Sequence, residues 1–101
     1  MFAASTQVVG TEVTPLVTLP NSGGTIWLQL ASGETIAVGG PDVTYATGLL
    51  ILGVATTVVQ LQLDDLAEAD TLYGIASGSN KTIRILARTS GKTQPIFGVL
   101  P

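Results

Sequence analysis

Hydrophobic and polar residues alternate along several short stretches of this chain. In the stretch TIWLQL, Ile26, Leu28 and Leu30 fall on one face. Trp27 falls on the opposite face, between a threonine and a glutamine. The same alternation runs through residues 81–88, KTIRILAR. Because successive side chains of a β-strand point to opposite faces, this spacing predicts strands whose aliphatic face points into a core.

Turn-forming residues divide the chain into such strands about every ten residues. The turns at 20–24, 31–34, 39–42 and 77–80 are rich in Gly, Pro, Asn and Ser, and the last has the composition of a β-hairpin connection. Strands are predicted at 25–30, 35–38, 49–52, 56–63, 71–76 and 81–88, and residues 43–46 form either a short strand or a loop. About seven short strands bounded by turns predict an all-β fold, an antiparallel β-sandwich or a jelly-roll-like barrel.

The two ends of the chain are expected to flank this sandwich. Gly10 and Pro15 interrupt the β-branched residues of the N-terminal part, and a proline in a strand indicates a sheet edge or a bulge. Residues 1–19 are therefore predicted as an N-terminal arm or edge strand, residues 20–93 as the sandwich and residues 94–101 as an apolar tail. A chain of 101 residues lies near the common domain size, so a single domain is expected.

The most apolar stretch, residues 48–59, is predicted to be buried strand. Gly53 and the β-branched residues after it favour strands over the rival interpretation, a core helix at 49–55. The stretch is well short of the roughly 20 apolar residues of a membrane-spanning helix. The first residues also lack the basic and continuously apolar parts of a signal peptide. No membrane partner is expected.

Composition matters chiefly for the chemistry that it excludes. The chain has no histidine and no cysteine, which excludes Cys/His zinc sites, Ser-His and Cys-His nucleophile pairs, thiol redox chemistry and disulfides. Four lysines and arginines in a chain of net charge -3 are too few for a surface that binds nucleic-acid phosphates. The protein is therefore predicted to be non-enzymatic, with no catalytic residues, no cofactor and no nucleic-acid partner.

Four acidic residues lie in the short segment 64–70: Asp64, Asp65, Glu68 and Asp70. Carboxylate oxygens at this density suit Ca²⁺. The segment lacks the D-x-D-x-D-G run and the terminal glutamate of a calcium loop, so a solvated turn before the next strand is favoured. No metal site is predicted, and binding of a cation by this segment stays an open alternative.

The predicted sheets have few charges to protect their edges. Charged residues make up only 11% of the chain, and its lysines are Lys81 and Lys92. Soluble β proteins usually blunt open edges with lysines and other charges. Both ends of the chain are apolar, and the mean hydropathy is +0.51. These features predict a homo-oligomer or a larger assembly in which other subunits cover the edges and ends.

Contact with such partners is expected at a small set of residues. The candidates are Trp27, Arg84, Leu86, Arg88, Ile96, Phe97, Val99 and Leu100. Trp27 is an interface anchor or a sugar-stacking platform, or else packs in the core, where tryptophan is commonly buried. Leu86, between two arginines on an outward face, is a contact patch with charged borders or a single exposed leucine.

Several motifs follow one another between residues 25 and 88. Residues 36–44 read IAVGGPDVT and residues 70–78 read DTLYGIASG, with TGLLI, VVQLQL and TIRIL in other predicted strands. This succession resembles small β-sandwich virion proteins of tailed bacteriophages, which carry a V-G-G-x-x-V-T turn and a D-x-L-Y-x-I-A strand. Where that family has a P-L-x-x-G turn, this chain has LILGVA at 50–55. The resemblance implies a structural role on a capsid or tail, without catalytic residues.

These features together lead us to expect a virion structural protein. The first hypothesis is a decoration or cement protein on the capsid surface, whose apolar segments 1–19 and 94–101 lie over the major capsid protein or other virion subunits. The second is a head-fibre or tail-associated module that recognises host surface glycan through Trp27 or Tyr45. A tail structural subunit is the third.

Overall fold

The computed structural model describes residues 2–53, 58–64, 68–89 and 95–97. Within these residues the regular secondary structure is entirely β. The strands are β1 (Phe2–Val9), β2 (Thr14–Leu19), β3 (Gly23–Leu30), β4 (Thr35–Gly39), β5 (Leu49–Leu52), β6 (Val59–Asp64), β7 (Asp70–Ile75), β8 (Lys81–Thr89) and β9 (Ile96–Phe97).

The strands form two sheets. The four-stranded sheet has the order β1-β8-β3-β6, and the five-stranded sheet has the order β5-β4-β7-β2-β9. Neighbouring strands are antiparallel throughout both sheets. The predicted all-β, antiparallel class is confirmed, and the fold is a β-sandwich.

The core lies between the sheets and takes side chains from both. Its buried members are Val9, Leu16, Val17, Leu19, Ile26, Leu28, Leu30, Ile36, Val38, Ile51, Ala76, Ile83, Ile85 and Ala87. The inward faces predicted for residues 25–30 and 81–88 are therefore confirmed. Burial of one large aliphatic side chain contributes about 1.5–3 kcal/mol, so this cluster is the main source of stability.

The N-terminal segment forms two strands in different sheets. Phe2–Val9 pairs with β8 at an edge of the four-stranded sheet. β2 lies between β7 and β9 in the other sheet, with Leu16 and Leu19 buried. The expectation of an extended arm is therefore corrected for β2, because these leucines are part of the core. The predicted irregularity at Pro15 is confirmed: the register on β7 shifts between Pro15 and Val17, as in a β-bulge.

The apolar stretch that begins at residue 48 forms a strand, as predicted, but most of that strand is not buried. Leu49, Leu50 and Leu52 of β5 are 58%, 56% and 60% exposed, whereas Ile51 is buried. The reason is position, since β5 is an edge strand with β4 as its neighbour in the sheet. The predicted strand residues 56 and 57 lie outside the described residues.

The turn at residues 77–80 joins the two sheets and is not a hairpin. β7 pairs with β2 and β4, whereas β8 pairs with β1 and β3. The hairpin prediction is therefore wrong, because turn residues also suit a crossing between sheets. This crossing lies beside the β1–β2 connection, since the backbone N–H of Ala76 donates to the Gly10 carbonyl at 2.8 Å.

The segment between β4 and β5 is a loop with a buried valine. Val43 is buried, and its side chain lies against Gly39 and Gly48. The hydroxyl oxygens of Thr44 and Thr47 each accept a hydrogen bond from the other residue's backbone N–H, both at 3.1 Å. Of the two forms that the sequence allowed for residues 43–46, the loop is the one observed.

Candidate functional site

The outer face of the four-stranded sheet is the side that points away from the core. It consists of Phe2, Ala4, Thr6 and Val8 of β1, Thr82, Arg84, Leu86 and Arg88 of β8, Thr25, Trp27 and Gln29 of β3, and Gln60 and Gln62 of β6. Four of the predicted contact residues share this face, because the register of β3 on β8 places Trp27 opposite Leu86. Arg84 and Arg88 flank Leu86, since residues two apart in a strand point the same way.

Phe2 covers one side of Trp27. The two ring centroids are 6.1 Å apart, with 29° between the ring planes. The guanidinium carbon of Arg88 lies 5.9 Å from the centroid of the Phe2 ring. An aromatic contact contributes about 0.5–1.5 kcal/mol beyond the buried area, and an exposed cation–π contact about 0.5–1 kcal/mol. Trp27 is thus half-buried on the outer face, outside the core cluster and supported by Phe2.

A groove of about 640 Å³ opens beside Trp27 on the outer face. It is lined by Ala4, Ser5, Thr6, Trp27, Gln29, Val58, Arg84, Ile85 and Leu86. Phe2 and Arg88 are not among these lining residues, so the groove lies toward the Arg84 end of the face. Ala4 and Thr6, which have small side chains, form the β1 side of the groove.

The groove contains a positive charge and no acidic lining residue. Arg84 lines it, and none of its lining residues is Asp or Glu. Among the described residues, neither Arg84 nor Arg88 forms an ion pair. Glu34 lines an adjacent groove that Arg84 also borders. Two of the chain's four cations therefore stand on one face of a protein whose net charge is -3.

β1 is an open edge of the four-stranded sheet and has no charged residue. Its sequence, FAASTQVV, contains neither proline nor glycine, and its eight residues pair with β8 in one continuous register. Phe2 and Val8, near its two ends, are 62% and 54% exposed. An edge strand directs the N–H and C=O of every second residue away from the sheet. β1 thus lacks the charges, prolines and bulges that usually protect such an edge.

Phe2 was missed at the level of the sequence, although residues 1–19 were predicted as an arm or edge strand and β1 lies at a sheet edge. The available signal was the run FAASTQVV at residues 2–9, which has no glycine, proline or charged residue. Gly10 obscured this signal, because a glycine that interrupts a strand made residues 1–19 look like one irregular segment.

The predicted contact residues near the C-terminus divide into two kinds. Ile96 is 53% exposed, whereas Phe97 packs against the core and supports this chain's own fold. β9, which contains both, pairs with β2 at the edge of the five-stranded sheet. Val99 and Leu100 lie outside the described residues.

The remaining candidates do not join the outer face. Tyr45 lies in the loop between β4 and β5, so it is not part of the face that carries Trp27. In the acidic segment, Asp65 is outside the described residues, and the Asp70 carboxylate accepts a hydrogen bond from the backbone N–H of Thr71 at 2.9 Å. Among the residues that are described, His, Cys, Asp and Glu form no group of three or more that could hold a metal ion.

Comparison with family models, curated proteins and solved structures finds no match to this chain. The resemblance to phage virion proteins therefore stays a prediction from the sequence. In the described ranges, no helix is long and apolar enough to cross a membrane.

Proposed function

We propose that this protein is a non-enzymatic virion structural subunit, a capsid decoration or cement protein that holds neighbouring subunits together. The observation that carries the proposal is β1, an edge strand of eight residues without charge, proline or glycine. Such an edge is a template for pairing with a strand of another chain. The proposed partners are further copies of this chain and the major capsid protein or other virion subunits.

A second copy of the chain fits the β1 edge in a defined register. Two copies of β1 related by a two-fold axis pair antiparallel, with their outer faces on the same side of the joint sheet. One such register places Phe2 opposite Val8 of the second copy, so that the exposed apolar side chains at both ends of β1 are covered. Ser5 then lies on the two-fold axis, opposite Ser5 of the second copy.

The exposed leucines of β5 offer a different apolar contact. Leu50 and Leu52 lie at an edge of the five-stranded sheet, away from β1. A stable interface buries about 1,600 Å² in total, more than one strand pair supplies. In a cement role, β1 joins copies to each other and the β5 edge contacts the shell. Many identical contacts then combine modest affinities into durable attachment.

The proposed location is tested by imaging purified particles of a tailed phage that encodes this chain. Density that fits the two sheets on the capsid surface, contacting the major capsid protein, is the expected result. Density on the tail supports a tail subunit instead and contradicts the decoration role. Absence of the chain from purified particles contradicts a virion role altogether.

A second candidate function is favoured by a separate observation, the groove beside Trp27. A head-fibre or tail-associated module would recognise glycan on a host surface, and this groove combines an aromatic wall with polar side chains. Such lining is typical of small-ligand sites.

A further inference from the structure

We infer that the groove beside Trp27 binds a carboxylate-bearing sugar, such as a uronic acid unit of an acidic glycan. The inference deepens the second candidate function and does not depend on pairing of β1. It combines three properties of the groove among the described residues: an arginine that forms no ion pair, the side of Trp27 away from Phe2, and polar side chains that have no hydrogen-bond partner there.

Arg84 is the group that would hold the carboxylate. A guanidinium presents a planar fork of N–H donors that matches both oxygens of a carboxylate. Among the described residues, Arg84 forms no ion pair, and the groove lining contains no acid that would compete. Because the net charge of the chain is -3, an anion is repelled by most of the surface and attracted to this face.

Trp27 and its neighbours would hold the sugar ring. The groove lies toward the Arg84 end of the face, which leaves the side of the indole away from Phe2 available for the apolar C–H face of a pyranose. The Gln29 amide and the Thr6 hydroxyl also line the groove. In the described part of the chain neither side chain has a hydrogen-bond partner, so both are available to sugar hydroxyl groups.

The position of the groove favours a sugar over an acidic peptide. A peptide binds a sheet chiefly by adding a strand at an open edge, where main-chain hydrogen bonds form. This groove crosses β1, β8 and β3, and β8 already pairs with a strand on each side. A ligand in this groove is therefore recognised by side chains and not by main-chain hydrogen bonds. Its volume, about 640 Å³, also lies within the range of small-molecule sites.

The chain has a single tryptophan, so its intrinsic fluorescence reports on this groove. The experiment is a titration of the full chain with an oligogalacturonate. The matched ligand control is the same oligosaccharide with its carboxyl groups methyl-esterified, and poly-glutamate provides the peptide control. We expect a saturable change of Trp27 emission with the oligogalacturonate and none with either control.

Two arginine variants make the test specific to the groove. Arg84→Gln is expected to weaken oligogalacturonate binding by about tenfold or more, as loss of a charge-assisted pair implies. Arg88→Gln removes the same charge from the same face but lies outside the groove lining. The affinity of this variant for oligogalacturonate should therefore stay within about twofold of that of the unmodified chain. No saturable binding, equal binding of poly-glutamate, or equal loss in both variants would overturn the inference. Each of these outcomes leaves the capsid role, which particle imaging tests, unaffected.

Discussion

Gly24 lies at a close approach between β3 and β8. It pairs with Thr89, and a Cβ atom at this position would overlap the carbonyl oxygen of Arg88. Its neighbour Gly23 has a different role, because its φ of 80° is a conformation that favours glycine. The sequence assigned both glycines to a turn, whereas β3 begins at Gly23.

Gly24→Ala is therefore expected to destabilise the fold by about 1–3 kcal/mol, the usual cost of overpacking. The measurement is the midpoint of urea unfolding followed by Trp27 fluorescence. Gly78→Ala is the matched control, because no atom lies within 4 Å of a Cβ built there, and its effect should stay within about 0.5 kcal/mol. Equal stability of the two variants would show that β3 and β8 do not approach as described.

The strands with one buried and one exposed face were predictable from the sequence, because alternating hydrophobic and polar residues show which side chains share each face. This holds for β3 and β8, whose inward residues are those expected. The outward positions of Trp27, Arg84, Leu86 and Arg88 were predictable for the same reason. The register that brings Trp27 opposite Leu86 was not, because it depends on pairing between strands distant in sequence.

Edge position and strand partners were the features that alternation could not supply. The apolar sequence of β5 looked buried, but a run of leucines does not tell whether a strand has one neighbour or two. The turn at 77–80 looked like a hairpin, but its composition holds no information about which sheet the next strand joins. Both errors concern long-range contacts, which short sequence windows do not contain.

The short strand β9 extends the five-stranded sheet beyond β2. Phe97 pairs with Val17 and packs against the core, whereas Ile96 pairs with Thr18 and is largely exposed. The sequence predicted residues 94–101 as a tail that contacts neighbours. The described part of that segment serves the fold as well, because Phe97 adds apolar area to the core.

Phe97→Ala is expected to lower the free energy of unfolding by about 1–3 kcal/mol, less than for a fully buried aromatic residue because Phe97 is only partly buried. Ile96→Ala, one residue away on the exposed side, is the control and should change it by less than about 0.5 kcal/mol. The free energies of unfolding of both variants are measured by thermal or urea unfolding. A larger loss in Ile96→Ala would contradict the assigned faces of β9.

For the whole molecule, the charge distribution separates two surfaces for which different roles are proposed. The β1 edge is uncharged and suits pairing with a second copy, while the outer face beside it carries Arg84 and Arg88. Two-fold pairing through β1 would place the outer faces of both copies on one side of a continuous sheet. The two grooves would then face the same direction, so a dimer would bind an acidic glycan at two points.

Self-pairing of β1 is the central claim, and disulfide cross-linking tests it in a chain that has no cysteine of its own. In the proposed register, the Cα atoms of Ser5 in the two copies are about 4.5–5.5 Å apart, within the range for a disulfide. Thr82→Cys is the control, because Thr82 pairs with Val8, so its two copies would be three strand spacings, about 14 Å, apart across the sheet and a further six residues, about 20 Å, apart along the strands. Under mild oxidation, we predict that Ser5→Cys forms covalent dimers with native circular dichroism and that Thr82→Cys does not. Monomeric Ser5→Cys, or equal cross-linking of both variants, would contradict the pairing.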